Sequence, residues 1–100
     1  MKGPSSARAK GLVLLVEDDP ALLLMTCYNL EQRGYRVETA EDGEAALLAL
    51  ETSRPDAVVL DWMLPGLSGL DVCRRIRANP ALRDVPVLLL TARSAGQDAI

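Results

Sequence analysis

Three carboxylates and one threonine in this sequence close buried segments, and nothing in local helix or strand formation requires the carboxylates there. Glu17 and Asp18 follow directly on the apolar run GLVLLV, Asp61 closes AVVL, and Thr91 closes VLLL. Carboxylates brought together at the ends of buried segments repel one another, and the repulsion destabilises a fold unless a cation offsets it. A hard divalent ion does so. Magnesium prefers an octahedron of oxygens, one or two of them carboxylates and the rest waters and phosphate oxygens. Asp18 and Asp61 can supply the carboxylates, Glu17 acts directly or through water, and the main-chain carbonyl of Met63 reaches back from the following loop. A structural calcium ion is the plainer alternative. Against it, calcium-loop spacing is lacking and few oxygen donors are evident for a high-coordination ion.

A carboxylate held beside such an ion can attack phosphorus and form an acyl phosphate. The ion and nearby donors then stabilise charge on the equatorial oxygens. Asp61 suits this part if the first and third apolar runs are neighbours, because Thr91 then approaches it from one side and the metal from the other. The Thr91 hydroxyl would bind a phosphoryl oxygen, with the backbone N–H groups of Trp62, Met63 and Ala92 as further donors. Taken singly these signals are weak: an Asp at a strand end is more often structural, and a Thr there is often a propensity effect. Their order along the chain is what makes them specific.

The elements that must position these residues can be read from the hydrophobic pattern. From Gly11, GLVLLVE is too uniformly apolar to have a wet face, as in a central parallel strand. Asp19 is an N-cap with Pro20 at the first helical position, and Leu22, Leu23, Met25, Thr26 and Leu30 carry a helix to Gly34. Residues 35–40, YRVETA, alternate like an edge strand. Asp42 and Gly43 open a second helix with Ala45, Leu47, Leu48 and Leu50 toward the sheet, ending near Ser53 and Pro55. Residues 56–61, DAVVLD, form a third strand whose Asp56 reads as an ordinary strand start. Pro65 and Gly66 make a turn, and Ser68 with Asp71 caps a third helix from Gly69 to Arg77, whose Arg74, Arg75 and Arg77 read as its wet face. A fourth strand spans Val85 to Thr91, with Pro86 tolerated at its start. Helix signals resume weakly from Ser94 to Ile100. Strands alternating with helices imply right-handed βαβ units and a parallel α/β sheet, whose ligands bind outside the carboxyl ends of the strands.

Composition narrows the setting. One hundred residues, 49% of them apolar, suffice for one small domain. With two Tyr, one Trp and no Phe, the core must be aliphatic. A net charge of −3 does not favour a nucleic-acid backbone as a direct partner of this segment. There is no His, and Cys27 and Cys73 lack zinc-ligand spacing, so both cysteines read as reduced and helical and the setting as cytoplasmic. No apolar run reaches membrane-spanning length. Residues 1–10, MKGPSSARAK, have no periodicity and read as a disordered leader, with residues 11–100 forming the domain.

LVLLVEDDP, VVLDWMLPGLSGLDVCRRIR and VPVLLLTAR together resemble the signature segments of the receiver domain of bacterial two-component response regulators, and DWMLPG resembles the winged-helix transcriptional branch. The resemblance covers essentially residues 11–100. It implies a flavodoxin-like strand order 2-1-3-4-5 and Asp61 as phosphoacceptor for a phosphohistidine on a sensor histidine kinase. It also implies Glu17, Asp18, Asp61 and the Met63 carbonyl as the magnesium site, with Thr91 as a switch hydroxyl. Asp19 matches a position outside the principal ligands. The domain would phosphorylate itself from the donor, and dephosphorylate, without steady turnover. Its output would be transcription through a DNA-binding domain not in this chain, with dimerisation on the helix four and strand five face.

Measured against that family, the sequence reads as stopping within or near the fourth helix, without a fifth strand, the lysine after it or a fifth helix. Lys2 and Lys10, the only lysines, lie in the leader and cannot be assumed to substitute. The fourth strand would then be a bare apolar edge, prone to self-association. Two other functions compete. A stand-alone receiver would act as a phosphate shuttle or by protein contact. A metal-dependent phosphohydrolase or mutase with Asp61 as nucleophile would need a second acid or base and a substrate cap, which residues 62–68 do not offer.

Overall fold

The computed structural model describes residues 10–90. Four strands, β1 (Leu12–Val16), β2 (Arg36–Ala40), β3 (Ala57–Asp61) and β4 (Val87–Leu90), alternate with three helices, α1 (Pro20–Gln32), α2 (Gly43–Thr52) and α3 (Gly69–Ala78). The sheet is wholly parallel in the order β2-β1-β3-β4. The expected fold class is therefore observed, with each element within about two residues of its expected bounds. The leader through residue 9, the last residue of the expected fourth strand and the helix expected from Ser94 lie outside the described residues.

The helix starts are set by local chemistry. Asp19 Oδ1 accepts from the N–H groups of Ala21 and Leu22 at 2.9 and 3.2 Å, with Pro20 at the first helical position. Asp42 Oδ1 accepts from Ala45 N–H at 2.7 Å, and Ser68 Oγ from Asp71 N–H at 3.1 Å. These bonds satisfy donors that no helix can satisfy internally. Gly34, at φ 98°, turns the chain out of α1 in a conformation that favours glycine.

Since β1 to β2 runs one way across the sheet and β2 to β3 to β4 the other, right-handed crossovers place α1 on one face and α2 and α3 on the opposite face. The larger core lies on the second face. There Leu14, Val16, Val58 and Leu60 of the sheet meet Ala46, Leu50, Val72 and Ile76. One expectation for α2 is corrected: Leu48, placed toward the sheet, is 65% exposed, and Ala46 is fully buried in its stead. Positions 46 and 48 stand about 200° apart round a helix, so seating Ala46 and Leu50 against the sheet turns Leu48 outward. No residue of α1 is fully buried, although the sequence pattern gave it a core face. Beside α1, Val13, Ala57, Val59 and Leu88 floor an open apolar groove of about 370 Å³.

Cys27 on α1 and Cys73 on α3 are free thiols on opposite faces of the sheet. Burial and then the neighbouring Glu31 carboxylate push the Cys27 thiol above its ordinary pKa, which disfavours the reactive thiolate. Among the described residues no helix is long and apolar enough to cross a membrane.

Arg77 is more than a solvated residue. Its Nη1 donates to the carbonyls of Arg83 and Val85, at 2.6 and 2.7 Å, and ties the α3–β4 connection to the helix. Arg77→Ala is expected to destabilise the fold by about 1–2 kcal/mol, the weight of charge-assisted hydrogen bonds partly open to solvent. Arg75→Ala should stay within about 0.5 kcal/mol of wild type. Urea midpoints for the two variants check this, and equal midpoints would remove the clasp from the account.

Candidate functional site

The carboxyl ends of β1 and β3 are adjacent because β1 pairs directly with β3, Val16 lying opposite Leu60. Each strand continues into acid at that point. Glu17 is 5% exposed and Asp61 3%, while Asp18 is exposed at the rim. One oxygen from each of Glu17, Asp18 and Asp61 lies within 4.8 Å of the other two. The structure thus brings together the three acids selected from the sequence.

Neighbouring bonds hold the cluster in shape. Glu17 N–H donates to Ala40 O at 3.0 Å, extending the β1–β2 ladder to the site, and Glu17 Oε2 accepts from Asp19 N–H at 3.0 Å. Asp19 itself caps α1, so the third acid of the run serves the helix while the first two join the cluster. Met63 N–H donates to Asp61 Oδ1 at a long 3.3 Å. Trp62, half-exposed, directly follows Asp61, but its N–H donates to Leu90 O at 2.8 Å. That donor, expected to face a phosphoryl group, continues the β3–β4 ladder. Thr91 and Ala92 lie outside the described residues; the last described residue of β4, Leu90, pairs with Asp61.

Three carboxylates this close repel pairwise by about 1 kcal/mol in bulk water, and by several times that where water is excluded. Oxygens in one octahedral magnesium shell stand roughly 3–4 Å apart. The cluster therefore fits a hard divalent ion, held directly or partly through water, and it can coordinate magnesium. Lys10, by contrast, hydrogen-bonds through its N–H to Gly34 O at the amino ends of the strands, with its ammonium 5.5 Å from the centre of the Tyr35 ring. A full strand length separates it from the acids, so it does not substitute for a lysine at the site.

A doubly wound parallel sheet with three clustered acids at its carboxyl edge defines a flavodoxin-like α/β domain with a candidate divalent-cation site. Residues 13–100 match the response regulator receiver domain model, and the chain belongs to that family. The phosphate regulon transcriptional regulatory protein PhoB of Rhizobium meliloti is 41% identical over 88 residues, covering 88% of this chain and 39% of that protein. The probable transcriptional regulatory protein TcrX of Mycobacterium tuberculosis is 49% identical over 89 residues, covering 88% of this chain and 37% of that protein. The chain thus spans well under half the length of these relatives. Among solved structures, the receiver domain of a sensor histidine kinase from Pseudomonas aeruginosa PAO1, with a magnesium ion coordinated in its active-site cleft, superposes with a TM-score of 0.81. It is 38% identical and covers 91% of this chain, which covers 75% of it. The present chain is a phosphoacceptor receiver domain with an acidic cluster suited to magnesium.

Proposed function

We propose that Asp61 is the phosphoacceptor of this domain, with Glu17, Asp18, Asp61 and the Met63 carbonyl forming the magnesium site. The observation that carries the assignment is the position of Asp61. It alone among the three acids is both the end of a central strand and paired in register with the last described residue of β4. In the reaction an Asp61 carboxylate oxygen forms a bond to phosphorus as the donor's bond to phosphorus breaks, and the leaving group departs with its electron pair and takes up a proton. A bound magnesium ion supplies neutralisation of the phosphoryl oxygens. Glu17, fixed by Asp19 N–H, holds its charge at the inner side of the cluster, and Asp18 completes it from the rim.

Thr91 is the switch hydroxyl in this reading, with Met63 and Ala92 N–H as phosphoryl donors and Trp62 flanking the site. The register that ends β4 beside Asp61 supports the role of Thr91. The physiological donor is a sensor histidine kinase, a reading supported by the receiver domain of a signal transduction histidine kinase from Syntrophus aciditrophicus, which is 37% identical with a TM-score of 0.79. Residues 11–100 act as the receiver unit of a cytoplasmic regulator whose output is transcription, as the names of its curated relatives suggest. DNA is contacted by a separate segment, and self-association uses the helix four and strand five face or the β4 edge.

Intact-mass measurement after incubation with magnesium and a small phosphoryl donor tests the central claim. One phosphoryl adduct is expected, mapped to the peptide carrying Asp61 and labile to hydroxylamine, with no sustained release of phosphate from phosphomonoesters. An adduct on another residue, or steady turnover, would overturn the assignment.

A further inference from the structure

Gly69 opens α3 in a right-handed conformation that any residue adopts, since among the described residues positive φ falls at other glycines. Backbone freedom therefore does not explain a glycine here. Space does. A Cβ at this position would stand 2.4 Å from Asp61 O, 2.9 Å from Trp62 Cα and 3.1 Å from Trp62 O. All three neighbours are main-chain atoms and cannot swing aside as a flexible side chain would. The Gly69 N–H donates to Trp62 O at 3.0 Å, while the Trp62 N–H donates to Leu90 O at 2.8 Å. The Trp62 residue is thus tied to the start of α3 through its carbonyl and to β4 through its N–H, with the Asp61 carboxylate one residue upstream and the Met63 carbonyl one downstream.

We infer that Gly69 is a positioning residue for the phosphoacceptor: its missing side chain lets α3 seat against the Asp61–Trp62 backbone and so sets where the Asp61 carboxylate and the Met63 carbonyl stand relative to Glu17 and Asp18. The inference rests on Asp61 being the acceptor and deepens that reading. A methyl group at residue 69 pushes the helix and the strand end apart, and a misplacement of about 1 Å at a reacting group can lower a rate by on the order of 100-fold.

Gly43 provides the matched control. A Cβ there would meet Leu67 Cβ at 2.8 Å, Val72 Cγ2 at 2.9 Å and Leu67 O at 3.0 Å, a comparable crowding that touches none of the three acids. The experiment compares Gly69→Ala, Gly43→Ala and wild type in three readouts: thermal midpoint, magnesium affinity from the fluorescence of the sole tryptophan, Trp62, and the initial rate of adduct formation by intact mass. Both variants are expected to lower the thermal midpoint. Only Gly69→Ala is expected to weaken magnesium binding and to slow phosphorylation, each by about 10-fold or more. Gly69→Ala with the affinity and rate of Gly43→Ala would overturn the inference. If wild type binds magnesium yet forms no adduct on Asp61, the acceptor assignment fails, and the two affinities still decide whether Gly69 positions the cluster. Should Gly69→Ala not fold, Ser68→Ala loosens the same helix start without adding bulk. It is expected to weaken magnesium binding relative to wild type, and wild-type affinity in that variant would equally overturn the inference.

Discussion

Asp61→Asn is expected to abolish the phosphoryl adduct completely while leaving the fold intact. The amide oxygen retains the shape and hydrogen-bonding capacity of the carboxylate but lacks its charge and nucleophilicity, so no acyl phosphate can form. The same change removes one of three mutually repelling acids. In the absence of divalent ions the variant should therefore melt higher than wild type, by a few degrees for each kcal/mol of repulsion relieved in a domain of about this size. Loss of function coupled to gain of stability distinguishes a residue kept for chemistry from one kept for structure. Intact mass and thermal melts in a chelating buffer measure the two halves. An Asp61→Asn protein that melts lower and still carries an adduct would place the acceptor elsewhere.

Asp18→Asn carries the second large effect, through the metal. An ion that binds only the folded chain stabilises it by about 2.7 kcal/mol at a concentration 100 times its dissociation constant. Wild type should accordingly gain on the order of 10 °C in thermal midpoint on adding saturating magnesium. With Asp18 neutralised, the cluster loses a carboxylate at its open rim, and most of that gain should vanish. Without metal the variant should be no less stable than wild type, because the charge it loses is repelled by Glu17 and Asp61. Calorimetric scans with and without magnesium test both statements. An undiminished magnesium shift in Asp18→Asn would show that the ion sits elsewhere.

Several elements were legible because their causes are local. Asp19-Pro20, Asp42-Gly43 and Ser68 through Asp71 announce helix starts through side chains that reach their own backbone, and the structure shows those bonds. The runs LVLLV and AVVLD announce central strands because only a strand covered on both faces can be apolar throughout. The acids after those runs were legible for the opposite reason: nothing local calls for them. Asp19 was separable from Glu17 and Asp18 because the following proline marked it as a cap.

Other features had no signal in a short window. Leu48 lies about 200° round α2 from Ala46, and the rotation of the helix against the sheet decides which of them is buried. Arg77 has the same local pattern as its exposed neighbours, yet it reaches carbonyls six and eight residues away. The N–H of Trp62 looked available until the β3–β4 register showed it donating to Leu90.

The sequence by itself determined the parallel α/β class, the order of its elements and the identity of the acids, since hydrophobic period, capping chemistry and misplaced charge are properties of neighbouring residues. Tertiary structure alone decided that the acids share one site and that Gly69 must lack a side chain. Both depend on distances between segments far apart in the chain: β1 and β3 meet after an intervening strand and two helices, and α3 returns to within van der Waals reach of the strand end it has just left.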